Sequence, residues 1–538
     1  MKTFDYVIVG AGSAGCVVAD RLSADGRATV LVLEAGGSDR NFWIRMPLGY
    51  ARCFTDPEVN WNYQPDPDPG LGGRVNHWPR GKVLGGSSSI NALVWMRGHP
   101  TDFDDWRAAG NVGWGYDDVL PAFRALEDNK AGADQWRATG GPVPIADMSR
   151  TVHPLTRRFL DAGAELGLPR NQDFNGAGQE GVGIYQQNIA NGRRVSAADA
   201  FLKPAMRRRN VEVLTQAVAT HIVVEAGRAV GVEFMRGGER RIVRARREIV
   251  LSAGSIASPQ LLQLSGIGPG DLLGRLGIPV VADNPHIGAN LQDHQSVNYA
   301  WRANVPTLNR LLRSWWGKAF IGARYVLTRS GPLAMSVNQG GGFLRSDASL
   351  SRPNLQIYFQ ANSAIPPRPG GNAMREIDPW HGFAMGVSNC RPKSRGNIRI
   401  AAIDPRQAPR ITVNALSHPD DQMELVAGVR FLRSMAATRA LSPFIAEEMR
   451  PGSSVQTDEQ LLADIRARAG TVFHPVSTCR MAPDRLDGVV SPRLAVHGLS
   501  GLRVADASVF PSIISGNTNA ATMMIGWKAA DMILEDNR

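Results

Sequence analysis

The segment of residues 4–37 limits most strongly how this chain can fold. A short apolar run, FDYVIVG, leads into GAGSAG, a helical pattern follows, and a second apolar run, ATVLVLEAG, contains Glu34 near its end. Gly10 allows a tight turn, Gly12 lets a pyrophosphate approach the backbone, and Gly15 lets the helix pack closely on the first strand. An acidic residue about 20 positions beyond such glycines accepts a ribose hydroxyl group, and Glu34 stands there. The segment therefore predicts a Rossmann-like unit that binds an adenine dinucleotide.

Length and charge restrict the remaining classes of protein. The chain has 538 residues, and at roughly 100–200 residues per domain this predicts two to four units. The formal net charge is +11, but the arginines that cause it are spread along the chain without a dense basic tract. A nucleic-acid-binding arm has such a tract, so we expect no nucleic-acid partner and only a weak preference for anionic surfaces or substrates.

Cysteine spacing and apolar run length bear on metal sites and on location. The four cysteines lie far apart, outside any CxxC or Cys/His spacing, so we expect buried thiols and neither a disulfide framework nor a metal site. The start of the chain, MKTF, leads directly into the first strand and leaves no room for a cleavable signal. No run approaches the roughly 18 apolar residues of a membrane span. These features predict a cytoplasmic protein.

The middle of the chain leaves the dinucleotide pattern and then returns to it. Residues 78–99, WPRGKVLGGSSSINALVWMRGH, belong to a long irregular excursion, which inside a compact fold usually has a function. They form either a solvated loop or a wrap around a phosphate or flat ring. Between Val211 and Gly254 the pattern predicts strands, of which the last, EIVLSAG, rejoins the parallel sheet. From about Trp301 to Gly452, longer periodic segments predict a substrate-facing domain.

Two C-terminal segments carry the densest signals, FHPVSTCRM at residues 473–481 and GLRVADASVFPSIISGNTNAATMMIGWKAADMIL at residues 501–534. LRV predicts a short strand, with Asp506 just beyond it. Thr518 or Asn519 can cap a helix whose small and apolar start predicts burial. A buried helix N-terminus stabilises negative charge by about 0.5–2 kcal/mol, and a reduced flavin develops such a charge at its pyrimidine side.

Together these motifs resemble the glucose-methanol-choline family of FAD-dependent alcohol oxidoreductases. The resemblance extends from GAGSAG through PRGKVLGGSSSINALVWMRG and VGVSNCRPKSRG to HPVSTCRM and GNTNAATMMI, and the pattern is most like that of bacterial acceptor-linked alcohol, choline, polyethylene glycol and sorbose dehydrogenases. It implies a mixed α/β fold. A Rossmann-like FAD-binding domain with a parallel sheet would comprise residues 1–155, 201–300 and 456–538. A substrate domain on a mostly antiparallel sheet with helices would comprise residues 156–200 and 301–455.

The resemblance also implies which residues hold FAD. The ADP part would contact Gly10, Gly12, Gly15 and Glu34, and the adenine would meet the backbone of Val218. The remaining cofactor positions are Arg80, Gly85, Gly86, Ser87, Asn91, Ala92, Asp506, Ala507, Asn517 and Thr518. Family members with a flavin held covalently by histidine carry that histidine where this chain has Ile90, so the FAD is predicted to be non-covalent.

Two residues match the catalytic positions of the family, His474 and Asn517. An alcohol gives up hydride to flavin N5 only if a base takes the hydroxyl proton, and a histidine with a pKa near 6.5 suits that role. The Asn517 amide would donate to the alcohol oxygen as negative charge builds. The alternatives are a structural histidine and an asparagine that caps a helix or turn. His99, His294 and Cys479 are predicted to be structural.

Several functions stay open at this point. The resemblance implies oxidation of an alcohol with a quinone-type or other non-nicotinamide electron acceptor. An oxidase that uses oxygen and an FAD-containing hydroxynitrile lyase are alternatives within the family. An NAD-dependent dehydrogenase would leave the glycine-serine segment and the C-terminal segment without a role. A binding module would make the pairing of His474 with Asn517 accidental.

Residues 308–327, LNRLLRSWWGKAFIGARYVL, predict an amphipathic helix with Thr307 as its cap. The apolar stripe comprises Leu308, Leu311, Leu312, Trp315, Trp316, Ala319, Phe320, Ala323, Val326 and Leu327, and the opposite face carries Arg310, Arg313, Lys318 and Arg324. Either the stripe packs on the substrate domain, or the helix lies in a membrane interface, which suits tryptophans and basic residues. The second alternative predicts reversible contact with the inner membrane face and a membrane quinone as oxidant.

Overall fold

Two seven-stranded sheets organise the chain in the computed structural model, which describes residues 2–365 and 376–538. In chain order, their strands are β1 (Thr3–Val9), β2 (Val30–Leu33), β3 (Gly181–Ile184), β4 (Val211–Leu214), β5 (Val218–Glu225), β6 (Arg228–Arg236), β7 (Glu239–Leu251), β8 (Gln295–Ala303), β9 (Asn338–Leu344), β10 (Leu355–Gln360), β11 (Gly382–Asn389), β12 (Ile445–Arg450), β13 (Gly470–Thr471) and β14 (Leu502–Val504). The main helices are α1 (Ser13–Leu22), α2 (Pro100–Ala108), α3 (Tyr116–Leu126), α4 (Pro154–Glu165), α5 (Gly254–Leu264), α6 (Leu308–Arg313), α7 (Trp315–Thr328), α8 (Pro419–Ala437), α9 (Asp458–Arg468) and α10 (Asn519–Asp536).

The first sheet has the order β4-β2-β1-β7-β6-β5, with β14 paired to β7. Strands β4, β2, β1, β7 and β14 pair in parallel, and β5 and β6 extend the sheet as antiparallel neighbours. The apolar runs of β1 and β2 are buried because helices cover a parallel sheet on its faces. Helices α1 and α10 pack closely here: a Cβ atom added at Gly526 would lie 2.6 Å from the Ala14 carbonyl oxygen.

The second sheet has the order β12-β8-β11-β10-β9-β3, with β13 paired to β8, and all of its pairings are antiparallel. Every residue of β11 is buried, and the helix α8 packs on this sheet through Leu425, Val429 and Leu432. The separate apolar core of this region therefore lies between the sheet and its helices.

The predicted fold class is confirmed: a parallel sheet with helices and a mostly antiparallel second sheet. Residues 211–254 form β4 to β7, and LRV forms β14 beside β7, as the patterns indicated. Strands of the two sheets alternate along the chain. The domain boundaries stay a prediction.

The predicted helix at residues 308–327 differs from expectation in two ways. It is split at Ser314, whose side chain accepts the Gly317 N–H and starts α7, while the Thr307 hydroxyl caps no helix and accepts the Gly382 N–H. The first part of the apolar stripe is buried: Leu308 belongs to the core of the second sheet, and Leu311 and Leu312 pack against it. The later members Trp315, Trp316, Phe320 and Leu327 are 64%, 69%, 60% and 82% exposed, and Ile321 and Tyr325 face the interior instead. Packing on the substrate-facing region therefore holds for the stripe on α6, whereas the stripe on α7 is exposed.

All four cysteines are buried and free, as their spacing predicted. Within residues 2–365 and 376–538, no helix combines the length and the apolar character that crossing a membrane requires.

Candidate active site

A large cavity lies where the carboxyl ends of β1, β2 and β7 meet the second sheet. Its volume is about 2110 Å³. Pockets for drug-sized ligands usually measure about 300–1000 Å³, so this cavity has room for a dinucleotide and a substrate together. Most of the predicted site residues line it: Gly10, Gly12, Glu34, Arg80, Gly86, Ser87, Asn91, Ala92, Val218, His474, Asp506, Ala507, Asn517 and Thr518.

The glycines after β1 are required by close backbone contacts. Gly10 has φ +101°, and a Cβ atom there would lie 2.4 Å from the Ser252 carbonyl oxygen. A Cβ atom at Gly15 would lie 2.0 Å from the Gly10 carbonyl oxygen. Gly15 therefore does not line the cavity but lets α1 start directly against β1 and β7. This leaves the N-terminus of α1 facing the cavity, where it can bind a phosphate.

The glycine-serine segment packs directly on this turn. Residues Gly86–Ser89 form a 3₁₀ turn, and a Cβ atom at Gly86 would lie 2.7 Å from the Gly12 Cα atom. The Ser88 hydroxyl donates to the Gly85 carbonyl and accepts the Ala197 N–H. Gly85, Gly86, Ser88 and Ser89 are buried, so the alternative of a solvated loop is wrong.

Acidic groups and a helix end complete the cofactor side of the cavity. The Glu34 carboxylate accepts the N–H groups of Ala11 and Gly36, and burial raises its pKa to about 7. The helix α10 begins at Asn519, so Asn519 is its first residue and not its cap, and Thr518 makes no side-chain cap. The first-turn N–H groups of α10 are therefore available to negative charge at the cavity wall.

Three adjacent strands bring two histidines together. His294 immediately precedes β8. Strand β8 pairs with β11 on one side and with β13 on the other. β11 ends one residue before Cys390, and β13 ends three residues before His474. The Nδ1 atoms of His294 and His474 lie 3.0 Å apart, and Nε2 of His294 lies 2.8 Å from the Cys390 carbonyl oxygen. His294, predicted to be structural, therefore contacts the predicted catalytic histidine directly.

These distances determine which nitrogen carries each proton. Burial lowers the pKa of His294 to about 4, so the ring is neutral at pH 7. Its Nε2 faces a carbonyl oxygen, which only accepts, so the hydrogen is on Nε2 and Nδ1 is an acceptor. His474 must then donate from Nδ1. Consequently Nε2 of neutral His474 carries a lone pair and is an acceptor.

The surroundings of His474 keep that lone pair unprotonated. Burial lowers the pKa of His474 well below 6.5, and His294 and Arg80 lower it further. Arg80 is partly buried and donates to the carbonyl oxygens of Phe473 and Pro79, each at 2.6 Å. Asp293, which accepts the His474 backbone N–H at 2.8 Å, has its pKa raised to about 7 by burial. The Arg80 guanidinium and the Asp293 carboxyl group therefore flank the His474 imidazole.

Asn517 is on the other side of His474. Its Nδ2 atom lies 3.1 Å from Nε2 of His474, and its Oδ1 atom is buried without a partner among the described residues. Two hydrogen bonds hold the segment that carries Asn517. The Asp102 carboxylate accepts the N–H of Ser515 at 2.6 Å, and Arg391 donates to the Ser515 hydroxyl. The structure thus places an amide donor and a base nitrogen side by side at the cavity wall.

Two family models match the chain over most of its length. Both are described as GMC oxidoreductase, one covering residues 4–296 and the other residues 392–526. Among curated proteins, the oxygen-dependent choline dehydrogenase of Rhizobium etli (strain CIAT 652) is 42% identical over 531 residues, which is 98% of this chain and 95% of the relative. The protein of the same name from Vibrio vulnificus (strain YJ016) is 42% identical over 534 residues, 99% of this chain and 94% of the relative.

Two solved structures with the same fold are named as oxidases. Pyridoxine 4-oxidase from Mesorbium loti superposes with a TM-score of 0.88 at 32% identity and covers 98% of both chains. A formate oxidase superposes with a TM-score of 0.91 at 27% identity and covers 99% of this chain and 98% of the other.

Proposed function

The chain belongs to the GMC oxidoreductase family and is an FAD-dependent oxidoreductase of alcohols, and from this premise we propose that His474 is its catalytic base. The observation that supports the role is the lone pair on Nε2 of His474, which faces the cavity because Nδ1 is committed to His294. A neutral imidazole within reach of a hydroxyl group is the usual general base near neutral pH.

The residues present fit FAD. The glycine turn at Gly10 and Gly12 leaves backbone free for a pyrophosphate, and the uncapped start of α10 faces the same cavity. Glu34 is at the end of β2, where a ribose hydroxyl can donate to its carboxylate. Ile90, buried beside the glycine-serine turn, offers no nucleophile for a covalent bond to the flavin. When bound, FAD accepts the hydride from the alcohol carbon at its N5 atom.

The proton moves to a defined atom in this proposal. The substrate hydroxyl displaces the Asn517 amide from Nε2 of His474 and donates its hydrogen bond there. As the proton passes to Nε2, the oxygen gains negative charge, and Nδ2 of Asn517 donates to it. His474 is charged after the transfer, and the His294 acceptor at Nδ1 stabilises the imidazolium through the same hydrogen bond.

The test is a His474→Ala variant studied by anaerobic stopped-flow mixing with an alcohol. We expect FAD to remain bound and flavin reduction to slow by about 10²–10⁴-fold, the usual contribution of a positioned acid or base. His153→Ala is the matched control. The His153 side chain is partly buried, as a useful control requires, but it caps α4 and does not line the cavity. Flavin reduction at the native rate in His474→Ala would remove His474 from the mechanism.

We further propose that the electron acceptor of this enzyme is a quinone-type molecule at a membrane surface. The supporting observation is the exposed patch on α6 and α7, where the stacked Trp315 and Trp316 lie beside Arg313 and Lys318 at the cavity rim. No Asp or Glu occurs from residue 294 to residue 346, so the charged residues of α6 and α7 are all basic. An amphipathic surface of this kind suits anionic lipid headgroups. Oxygen is the second candidate acceptor, favoured by the names of the relatives.

Two measurements separate these acceptors. Flotation with anionic liposomes should recover the protein, and a double Trp315→Ser, Trp316→Ser variant should float less at unchanged alcohol-dependent flavin reduction. Quinone-analogue reduction should exceed oxygen uptake at equal alcohol concentration. Absence of flotation together with rapid peroxide formation in air would identify an oxidase that needs no membrane contact.

A further inference from the structure

Four strands of the second sheet present an uncharged wall to the cavity, beside Arg450 at the end of β12, which also lines the cavity and is ion-paired with Asp378. Alternate residues of β8, β9, β10 and β11 face inward, and each of them is an amide, a hydroxyl or a small apolar side chain. They are Ser296, Asn298 and Ala300 on β8, Asn338 on β9, Tyr358 and Gln360 on β10, and Ala384 on β11. Because side chains alternate along a strand, these residues form one continuous face.

This wall is adjacent to the base. Ser296 is two residues beyond His294 and pairs with Gly470, four residues before His474. Asn298 lies over Gly386 on the neighbouring strand, since a Cβ atom at Gly386 would lie 2.3 Å from the Asn298 Oδ1 atom. The part of the substrate that extends from the reacting carbon therefore meets neutral hydrogen-bonding groups.

Carboxylates are scarce around the cavity. Among the described residues that line it, only Glu34, Asp506 and Glu376 are acidic. Glu34 and Asp506 are on the first sheet, where their oxygens accept backbone N–H groups. Glu376 is exposed at the rim, where water screens its charge. Residues 366–375, which the structure does not describe, include no Asp or Glu.

Cations are abundant in the same cavity. The basic lining residues are Arg52, Arg74, Arg80, Arg313, Lys318, Arg406, Arg450 and Arg468. Arg450 and Arg468 are neutralised by ion pairs with Asp378 and Asp464. Arg80, next to His474, has no carboxylate within ion-pair distance in the part of the chain that the structure describes. Asp293, which accepts the His474 backbone N–H, is buried and does not line the cavity. Most of the charged groups that line the substrate side of the cavity are therefore basic.

The aromatic rings nearest the base and the wall are already packed: Phe473 lies edge-on to Phe54 with ring centroids 5.1 Å apart, and Tyr358 is buried. Quaternary ammonium groups are recognised by carboxylates or by open aromatic faces. Two of the lining tryptophans already hold cations: Arg52 lies 5.3 Å from the ring centroid of Trp43, and Lys82 lies 4.9 Å from that of Trp61. A second cation on these rings would meet the first at close range.

We propose that the substrate of this enzyme is an electrically neutral alcohol and that the neutral wall with its surrounding cations rejects quaternary ammonium alcohols. The inference rests on the proposed alcohol oxidation and deepens it by naming the substrate class. It separates this chain from relatives whose names specify choline. Neutral alcohols with further oxygen atoms fit the wall, because Asn298, Asn338 and Gln360 supply donors and acceptors for them.

The test compares choline with 3,3-dimethylbutan-1-ol, which has the same skeleton with carbon in place of the charged nitrogen. Binding is measured by perturbation of the flavin absorbance during titration of the FAD-loaded protein, and flavin reduction is measured anaerobically. We expect the neutral alcohol to bind at least ten-fold more tightly than choline and to reduce the flavin at least ten-fold more efficiently. Binding of choline should improve with added salt, which screens the cations.

Variants of Asn298 test whether the neutral wall causes the discrimination against choline. Asn298→Asp adds one negative charge without a change of shape. We expect it to reduce the ratio of neutral-alcohol affinity to choline affinity by ten-fold or more. Asn298→Leu, of similar size and uncharged, should leave the ratio of the two alcohols as it is. Equal or tighter binding of choline by the native protein would overturn the inference, as would binding of neither alcohol. Selective binding of the neutral alcohol without flavin reduction would support the neutral site and refute the proposed oxidation.

Discussion

Replacement of His294 by asparagine and by glutamine tests how the base at His474 is oriented. In asparagine, Oδ1 takes the place of the imidazole Nδ1 and can accept the proton of His474 Nδ1. In glutamine, Nε2 takes the place of the imidazole Nε2, so the hydrogen bond to the Cys390 carbonyl is kept and the acceptor for His474 is lost. His294→Asn should therefore retain activity, and His294→Gln should lose it.

The size of the loss follows from the 3.0 Å hydrogen bond between the two Nδ1 atoms. A buried donor left without its partner costs about 1–3 kcal/mol, and His474 avoids that cost in the variant by moving its proton to Nε2. The tautomer with the lone pair on Nε2 is then disfavoured by a similar amount. Since each 1.36 kcal/mol is a factor of ten, flavin reduction should slow by about 10- to 100-fold.

The assay is anaerobic flavin reduction at saturating alcohol, together with the FAD content of each variant. We expect His294→Gln and His294→Ala to be slow with normal FAD content, and His294→Asn to lie within a few-fold of the native rate. A residue that only fills space would give the opposite order, because glutamine preserves more volume and the bond to Cys390. Native rates in His294→Gln would refute the tautomer argument.

Four further outcomes are expected. The pKa of His474 is held below 6.5, so its neutral form persists as pH falls from 8 to 6.5, and the rate of flavin reduction should stay level there and drop only at lower pH. Asn517→Ala should slow flavin reduction less than His474→Ala does and should keep FAD, and an effect on FAD retention alone would indicate a capping role. Heat or acid precipitation should release the yellow cofactor into the supernatant, and colour in the pellet would show a covalent bond. Gly86→Ala should raise the dissociation constant of FAD at least ten-fold, because a Cβ atom there meets the Gly12 Cα atom at 2.7 Å, while Gly37→Ala, with no atom within 4 Å, should not.

The first sheet and the cofactor side could be predicted because their signals are local. The turn at Gly10 and Gly12 is encoded by glycines beside the strand they terminate, and β1 and β2 are continuous apolar runs, as a sheet buried on both faces requires. The helix at residues 308–327 was predicted less well. Its periodicity was real, but periodicity identifies an apolar face without showing whether that face is buried, and Trp315 and Trp316 are exposed.

The role of His294 could not be predicted because it depends on strand register. Along the chain, His294 is 180 residues from His474 and 96 residues from Cys390, and no two of these residues share a motif. They meet because Ser296 pairs with Ser388 on one side of β8 and with Gly470 on the other. A shift of one residue in either pairing would move the histidine away from its partner and reverse the direction of its side chain.

The same register produces both properties of the site. His294 immediately precedes β8, and the neutral residues Ser296 and Asn298 are on that strand, so the segment that orients the base also forms the wall beside it. A carboxylate on that wall would lie near His474 and raise its pKa, which would protonate the base at a higher pH. An uncharged wall therefore suits an imidazole that must stay neutral, and it excludes the counter-ion that a cationic alcohol would need.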